Sequence, residues 1–307
     1  MFKKVLVTGG AGFVASHIVD RLVNDNFEVT IIDNLTTGSE KNINKNACFY
    51  SVDIRNELDT LNDIFIKKRP DLLVHYAAQV NVVQSNERPI YDSQININGT
   101  INLVQFAQAH KVRKLIFAST GGALYGNCRQ IPSPETSSFS PASAYAISKY
   151  AAEFYIRMMC EKSGVPWTIF RYSNVYGPRQ RLASDGSVVP IFLQNAIESK
   201  KSTIYGNGNQ TRDFIYIDDV VDSFMTVINE NINGIFNIGT GIEVSINELH
   251  KMIGQLTNNK RRPIYRPERI GEVKRSALCI EKAMAVMDWK PKISLREGLS
   301  KILQANP

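Results

Sequence analysis

The sequence predicts an α/β protein: a doubly wound parallel sheet followed by a smaller C-terminal α/β domain. Three observations predict it. Short β-branched runs alternate with helical patterns through the first half, a glycine-rich turn separates the first run from the first helix, and the alternation stops near Gly177. Such alternation argues for parallel strands with helices on both faces. Val5-Leu6-Val7 is the first strand, Phe13 to Val23 the first amphipathic helix, and Val29-Thr30-Ile31-Ile32 the second strand. Leu72-Leu73-Val74, Leu115-Ile116-Phe117 and Trp167-Thr168-Ile169-Phe170 are further buried strands, with helical stretches near 57–68, 96–110 and 144–163 between them. The Asn/Lys-rich stretch 40–46 is expected to be a loop. Beyond Gly177, a helix near 189–199 and elements from 245 onward leave the repeat. Phe214-Ile215-Tyr216-Ile217 and Ile235-Phe236-Asn237-Ile238 look like a return to the sheet. The predicted division is 1–176 plus 214–240 for the sheet domain, and 177–213 plus 241–307 for a domain forming one wall of a cleft.

Composition bounds the function. With 307 residues, 43% hydrophobic and 21% charged, the chain can bury a sizeable core and is not disordered. No apolar run approaches the roughly 20 residues of a membrane span. The apolar run at the N-terminus breaks at Thr8-Gly9-Gly10, so it is a strand and not a secretion signal. Cys48, Cys128, Cys160 and Cys279 form no C-x-x-C pair, and His17, His75, His110 and His250 are equally scattered, which argues against a disulfide framework or a zinc site. A cytoplasmic protein with reduced thiols fits. The net charge of +7 comes with only two weak basic clusters, Lys67-Lys68-Arg69 and Lys260-Arg261-Arg262, and no aromatic-basic repeat, so no nucleic-acid partner is expected.

The glycine turn carries the first chemistry. Thr8-Gly9-Gly10-Ala11-Gly12-Phe13-Val14-Ala15 contains G-x-x-G-x-x-A through Gly9, Gly12 and Ala15. Glycines there let the backbone approach a pyrophosphate, which the following helix N-terminus attracts with free amides and a positive dipole end. Asp33 ends the second strand about 20 residues on, where an acid holds the adenosine ribose hydroxyls. An acid there repels the extra phosphate of NADP, so NAD is the expected cofactor and the sheet is of the Rossmann type.

Tyr145-Ala146-Ile147-Ser148-Lys149 places a tyrosine and a lysine on one helix face. A free phenol, with a pKa near 10, is a poor base at neutral pH. A neighbouring ammonium and a positive nicotinamide favour the phenolate, which then removes a proton from a substrate hydroxyl. Between the two motifs lies a hydroxyl-bearing strand end, Phe117-Ala118-Ser119-Thr120-Gly121-Gly122. Ligands lie beyond the carboxyl ends of parallel strands, so Ser119 or Thr120 is placed to hydrogen-bond the reacting oxygen.

With these motifs, the chain resembles the extended short-chain dehydrogenase/reductases, and among them the nucleotide-sugar 4-epimerases. The resemblance runs through Val7 to Phe13, Asp33-Asn34-Leu35, Asp53-Ile54, His75-Tyr76-Ala77-Ala78-Gln79, Asn96 to Thr100, Ser119-Thr120, Tyr145 to Lys149, Arg171 to Arg179, Gln210 to Phe214, and Arg269-Ile270-Gly271-Glu272. It implies that Phe13 and Val14 lie along the pyrophosphate, Asp33 takes the ribose, Asp53 and Ile54 flank the adenine, and Ala77, Ala78 and Asn96 line the cofactor. Asn34, Leu35, Thr36, Gly38, Gln79, Tyr172 and Val175 are further cofactor positions. It makes Tyr145 the base, Thr120 its helper, and Lys149 the residue that binds the nicotinamide ribose and tunes Tyr145. Asn174, Arg212 and Arg269 would hold a UDP diphosphate and Glu272 the uridine ribose, with Val188 and Tyr205 also lining the substrate. For Arg212 the competing role is an ion pair with Asp213 or Asp218.

Departures from the family pattern sharpen the expectations. Ser173 replaces an aromatic often found beside the nicotinamide. The Thr120-Gly121-Gly122 loop is one residue longer than in the best-known members, so Ser119 and Thr120 both stay candidates. Ser276 occupies the position that gates the pocket for the sugar's 2-substituent, and a small residue there leaves room for an N-acetyl group. A 4,6-dehydratase would carry Asp-Glu after the threonine, where Gly121-Gly122 stand. Relatives that epimerise UDP-glucuronate tend to carry threonine in place of Asn174. An NAD-binding regulator without chemistry would usually lack the tyrosine or lysine. The implied activity is therefore 4-epimerisation of UDP-hexoses through a 4-keto intermediate. A homodimer is expected, packed through the Tyr145 helix and the helix near 98–110, where Ala144, Ile147, Ala151, Phe154 and Tyr155 face either a second subunit or the sheet.

Overall fold

The computed structural model describes residues 2–181, 187–230, 232–269 and 272–305. Strands β1 (Lys4–Thr8), β2 (Glu28–Asp33), β3 (Cys48–Ser51), β4 (Leu72–His75), β5 (Lys114–Thr120) and β6 (Trp167–Tyr172) join β11 (Gly234–Ile238) in one parallel sheet, ordered β11-β6-β5-β4-β1-β2-β3. Successive residues of a strand point to opposite faces. Val5 and Val7 accordingly enter one hydrophobic cluster and Leu6 the other, one on each side of the sheet. Burial on both faces explains why these strands are continuous apolar runs and not alternating ones.

The connections place the site. The chain runs outward from β1 to β3, then crosses back to lay β4 on the other side of β1. The strand order reverses there, so the carboxyl ends of β1 and β4 open a crevice. Helices α1 (Phe13–Asn24) and α2 (Leu58–Lys68) follow β1 and β3. After β4 come α3 (Val82–Glu87), α4 (Pro89–Ser93), a π-helical turn (Gln94–Gly99) and α5 (Thr100–Ala109). The helix expected over 96–110 thus starts as a widened turn, and two short helices precede it. Pro89 opens α4 and removes an amide, which separates it from α3. After β5 come α6 (Gly121–Leu124) and α7 (Ala144–Ser163).

One expectation fails. Residues 214–217 do not rejoin the main sheet. Instead β7 (Asn174–Tyr176) pairs in parallel with β10 (Phe214–Tyr216). The reason lies at Ser173, whose amide takes the Ile238 carbonyl at 2.9 Å, while the next amide, of Asn174, takes the Asp213 carbonyl at 2.9 Å. The chain changes partner at that residue. The predicted return at 235–238 does occur, as β11 against β6.

The remaining elements are α8 (Val188–Ile197), β8 (Thr203–Tyr205), β9 (Thr211–Arg212), α9 (Ile217–Asn229), β12 (Val244–Ser245), α10 (Ile246–Leu256), β13 (Ile264–Arg266), α11 (Glu281–Met287) and α12 (Leu295–Ala305). Ile246, Leu249 and Leu299 belong to the same hydrophobic cluster as Val5 and Val7, so the C-terminal elements are packed onto one face of the sheet. Among the described residues no helix is long and apolar enough to cross a membrane, and no group of acids, histidines and cysteines is placed to hold a metal.

Candidate active site

The glycine turn closes where the crevice opens. Gly9 has φ +73°, and a Cβ there would lie 2.6 Å from the Ala77 amide nitrogen. Only glycine supplies that conformation and that close approach together. The Gly12 amide donates to the Gly9 carbonyl at 2.9 Å, which folds the turn onto the start of α1. That helix has no side-chain cap and no acid in its first turn. Its first amides are thus available to an anion, which fits the pyrophosphate of NAD. Asp33 takes the Ala11 amide at 3.0 Å and the Leu35 amide at 2.8 Å, joining the turn to the end of β2. Burial pushes its carboxyl above the usual range. A Cβ on Gly38 would lie 2.8 Å from Asp33 Oδ1, so the loop through Asn34, Leu35, Thr36 and Gly38 is folded tightly over the acid. Asn34 reaches Asp53 at 3.1 Å, and Ile54 is buried against Gly99. Asp53 is held mainly by the Arg55 guanidinium at 2.7 Å, which keeps its carboxyl below the ordinary value.

Beneath Ala77 and Ala78 the polar groups are tied together. Asn96 accepts the Gln79 amide at 2.9 Å and donates to the Gln79 carbonyl at 3.0 Å, to Asp92 at 3.1 Å and to Ser148 at 3.1 Å. Asn96 is buried, so its part in lining the cofactor is to fix the backbone after β4 and the helix carrying Lys149. His75 bridges Thr8 at 2.8 Å and Thr100 at 2.9 Å, and burial depresses its pKa, so a neutral ring links β1, β4 and α5.

Helix α7 carries Tyr145 and Lys149. Ser143 caps its start by accepting the Ala146 amide, and Ser85 accepts the Tyr145 amide at 3.0 Å. Capping from two sides fixes the first turn, where Tyr145 sits. Lys149 is buried, with its Nζ 3.9 Å from the centre of the Phe117 ring. Burial lowers its pKa to about 7, with Glu153 and Asp92 acting to raise it. Strand alternation separates the two hydroxyl candidates. Ser119 is buried and donates to Glu153 at 2.5 Å. Thr120 is half-buried at the mouth of the crevice and caps α6 by accepting the Ala123 amide at 3.3 Å.

The substrate-side residues also meet. Arg212 pairs with Glu272 at 3.2 Å and donates to the Thr211 and Val273 carbonyls at 2.8 and 2.7 Å. The ion pair is thus with a second predicted site residue and not with Asp213 or Asp218. Glu272 Oε2 is buried with no hydrogen-bond partner among the described residues. The Arg269 guanidinium lies 4.0 Å from the centre of the Tyr205 ring. Ile270 and Gly271, between these two groups, lie outside the described residues. A Cβ on Gly122 would lie 3.6 Å from Asn174 Nδ2, and one on Gly121 would strike Leu278, so Asn174 and the strand of chain through Ser276 border the Thr120 loop. Ser276 is 9% exposed. Tyr172 is buried with its hydroxyl 2.5 Å from that of Tyr76, and Val175 and Val188 are partly buried against the core beside it.

Sequence reasoning missed two acids. Asp213 is fully buried and accepts from the Thr240 amide and hydroxyl, the Gly241 amide and the Leu278 amide, at 2.9, 2.6, 3.0 and 3.2 Å. It thereby ties the chain beside Arg212 to the one carrying Ser276. Glu153 is the other. Its signal was available: an acid on the buried face of α7, four residues after Lys149.

The NAD dependent epimerase/dehydratase family model matches residues 5–239. A putative UDP-glucose 4-epimerase of Methanocaldococcus jannaschii is 43% identical over 97% of this chain and 97% of its own. Among solved structures, the UDP-glucose 4-epimerase of Thermotoga maritima with UDP-glucose superposes with a TM-score of 0.95 at 39% identity, over 98% of this chain and 97% of that one. The UDP-N-acetylglucosamine 4-epimerase of Methanobrevibacter ruminantium, in complex with UDP-N-acetylmuramic acid, gives 0.92 at 33% identity, over 99% and 98%.

Proposed function

The chain belongs to the NAD dependent epimerase/dehydratase family, and on that premise we propose that it interconverts UDP-hexoses epimeric at C4. The observation that carries this reading over elimination is the turn after Thr120: Gly121 and Gly122 pack on Leu278 and Asn174 and offer no acid or base there. Bound NAD supplies the hydride acceptor for oxidation and the donor for reduction. Gly9, Gly12, Phe13 and Val14 present the start of α1 to its pyrophosphate, and Asp33 and Asp53 face the adenosine. Tyr145 takes the proton from the 4-hydroxyl and gives it back to the opposite face. Thr120, and not Ser119, hydrogen-bonds the reacting oxygen, because the Ser119 hydroxyl is committed to Glu153. Arg212 and Arg269 match a diphosphate in charge and geometry. The unpartnered Glu272 oxygen suits a ribose hydroxyl. Anchoring the nucleotide half leaves the 4-keto sugar free to turn over. Residues 1–176 plus 214–240 thus serve the cofactor, and 177–213 plus 241–307 wall the sugar nucleotide. Purified protein given UDP-galactose should form UDP-glucose and release NAD on denaturation; bound NAD with no UDP-glucose formed would sink the reading.

The small Ser276 side chain supports acceptance of N-acetylated sugars as well, in line with the UDP-N-acetylglucosamine 4-epimerase among the similar structures. Ser276→Tyr should abolish turnover of the N-acetylated sugar, with a change under about threefold on UDP-galactose, since steric exclusion discriminates by one to three kcal/mol or more. Equal loss on both sugars refutes the gate.

A homodimer completes the proposal. Ile147, Phe154 and Met158 are 55%, 49% and 54% exposed on the outer face of α7, beside α5, so these apolar residues do not face the sheet. Clustered exposed apolar groups mark association sites. Sedimentation should give twice the chain mass, falling to one with Phe154→Glu; a monomeric parent protein overturns this.

A further inference from the structure

A buried polar chain runs behind the proposed catalytic helix. Glu153 is 1% exposed and sits one turn beyond Lys149 on α7. Its Oε1 accepts from Ser119 Oγ at 2.5 Å and Arg171 Nε at 3.0 Å, and its Oε2 from Arg171 Nη2 at 2.6 Å. Arg171, also buried, donates to the Tyr125 hydroxyl at 3.0 Å and the Glu135 carbonyl at 3.2 Å. Tyr125 donates to Asn237 at 2.8 Å, whose amide group reaches the Ser133 and Cys279 carbonyls at 2.8 and 3.2 Å. The chain therefore links α7 and the end of β5 to the segment that follows Ser276.

Such a pair is a poor device for stability, since apolar residues of like volume often do as well or better. Its location suggests another use. The groups bearing on Lys149 are Glu153 on its own helix, Asp92 on α4, His75 on β4, and Arg171 on β6 behind Glu153. The His75 ring is neutral, and Asp92 is shared among Gln79, Asn96 and Ser148. Glu153 is thus the acid nearest Lys149 along the helix, and it is held at a fixed position by three donors.

We propose that Glu153 is a positioning residue for the proposed Tyr145–Lys149 pair: pinned by Ser119 and Arg171, its carboxylate supplies the negative charge behind Lys149 and ties the base-bearing helix to the end of β5. This rests on the epimerase reading. Without that charge Lys149 gives up its proton at lower pH. Tyr145 then loses the ammonium that favours its phenolate, and the rise of kcat with pH must move to higher pH.

The test uses the NAD-loaded protein with Glu153→Gln, and with Glu153→Gln joined to Arg171→Gln, which removes both charges and leaves no unpaired guanidinium. In either variant that purifies with NAD, the acid limb of the kcat–pH profile should move up by about one unit, a tenfold loss below it, with KM within about twofold. A limb unmoved from wild type in a folded, NAD-loaded variant overturns the proposal, since a merely structural role lowers stability without moving it. Ultraviolet difference titration of the Tyr145 phenolate, taken against Tyr145→Phe, should move by the same amount and needs no turnover. It therefore separates failure of this inference from failure of the epimerase reading, which inactive wild-type protein alone would report.

Discussion

Tyr145→Phe should lose about a hundred- to ten-thousand-fold in kcat while keeping its NAD and its KM within about threefold, the range expected when a general base is removed. The phenol oxygen is the only atom deleted. The start of α7 stays fixed, because Ser85 and Ser143 hold it through backbone amides and not through the Tyr145 hydroxyl. NAD retention follows from the same separation, since the glycine turn and Asp33 lie across the crevice on α1 and β2. An effect confined to kcat is the mark of an interaction made in the transition state. NAD content of the purified variant, with turnover of UDP-galactose, checks both halves. A variant within tenfold of wild type would move the base elsewhere, and a variant empty of NAD would make the loss uninformative about proton transfer.

Tyr145 and the glycine turn were legible because their chemistry is local. A helix puts residues four apart on one face whatever surrounds it, and a turn before a helix N-terminus is written in consecutive residues. What was not legible depends on partners distant in sequence. Ser119 and Thr120 are adjacent hydroxyls, and the choice between them depends on which face of β5 holds Glu153, a residue 34 positions away. The partner of Arg212 is Glu272, 60 positions on, whereas the acids visible nearby, Asp213 and Asp218, were the natural alternatives. Asp213 turned out to organise backbone amides from three segments. The strand at 214–216 carries the apolar pattern of a sheet strand, and that pattern is the same whether the partner is the main sheet or a single neighbour. The switch at Ser173 that decides it has no composition of its own.

Lys149→Met should separate stability from activity. In the folded protein burial lowers the Lys149 pKa to about 7, against 10.5 for a free lysine. Below about pH 7 both the folded and unfolded chains carry the proton, and the folded state bears the full cost of a buried ammonium. Between about 7 and 10.5 the unfolded chain binds a proton that the folded chain does not, so stability rises with pH, by at most about 1.4 kcal/mol per unit. Methionine has no such proton. The wild-type stability minus that of Lys149→Met should therefore be lowest and flat below about pH 7 and climb above it. Urea unfolding of the NAD-free proteins at several pH values measures this, and the other titrating groups cancel in the difference. A difference that stays flat across the window, or falls, contradicts a depressed lysine. Turnover should meanwhile drop about a hundredfold or more, because Tyr145 loses its neighbouring cation. The protein would thus be carrying a destabilising charge at neutral pH because the chemistry needs it. Glu153 and Asp92 oppose the cost only in part: enough, by this account, to keep Lys149 partly charged near neutrality and not enough to return it to the value of an exposed lysine.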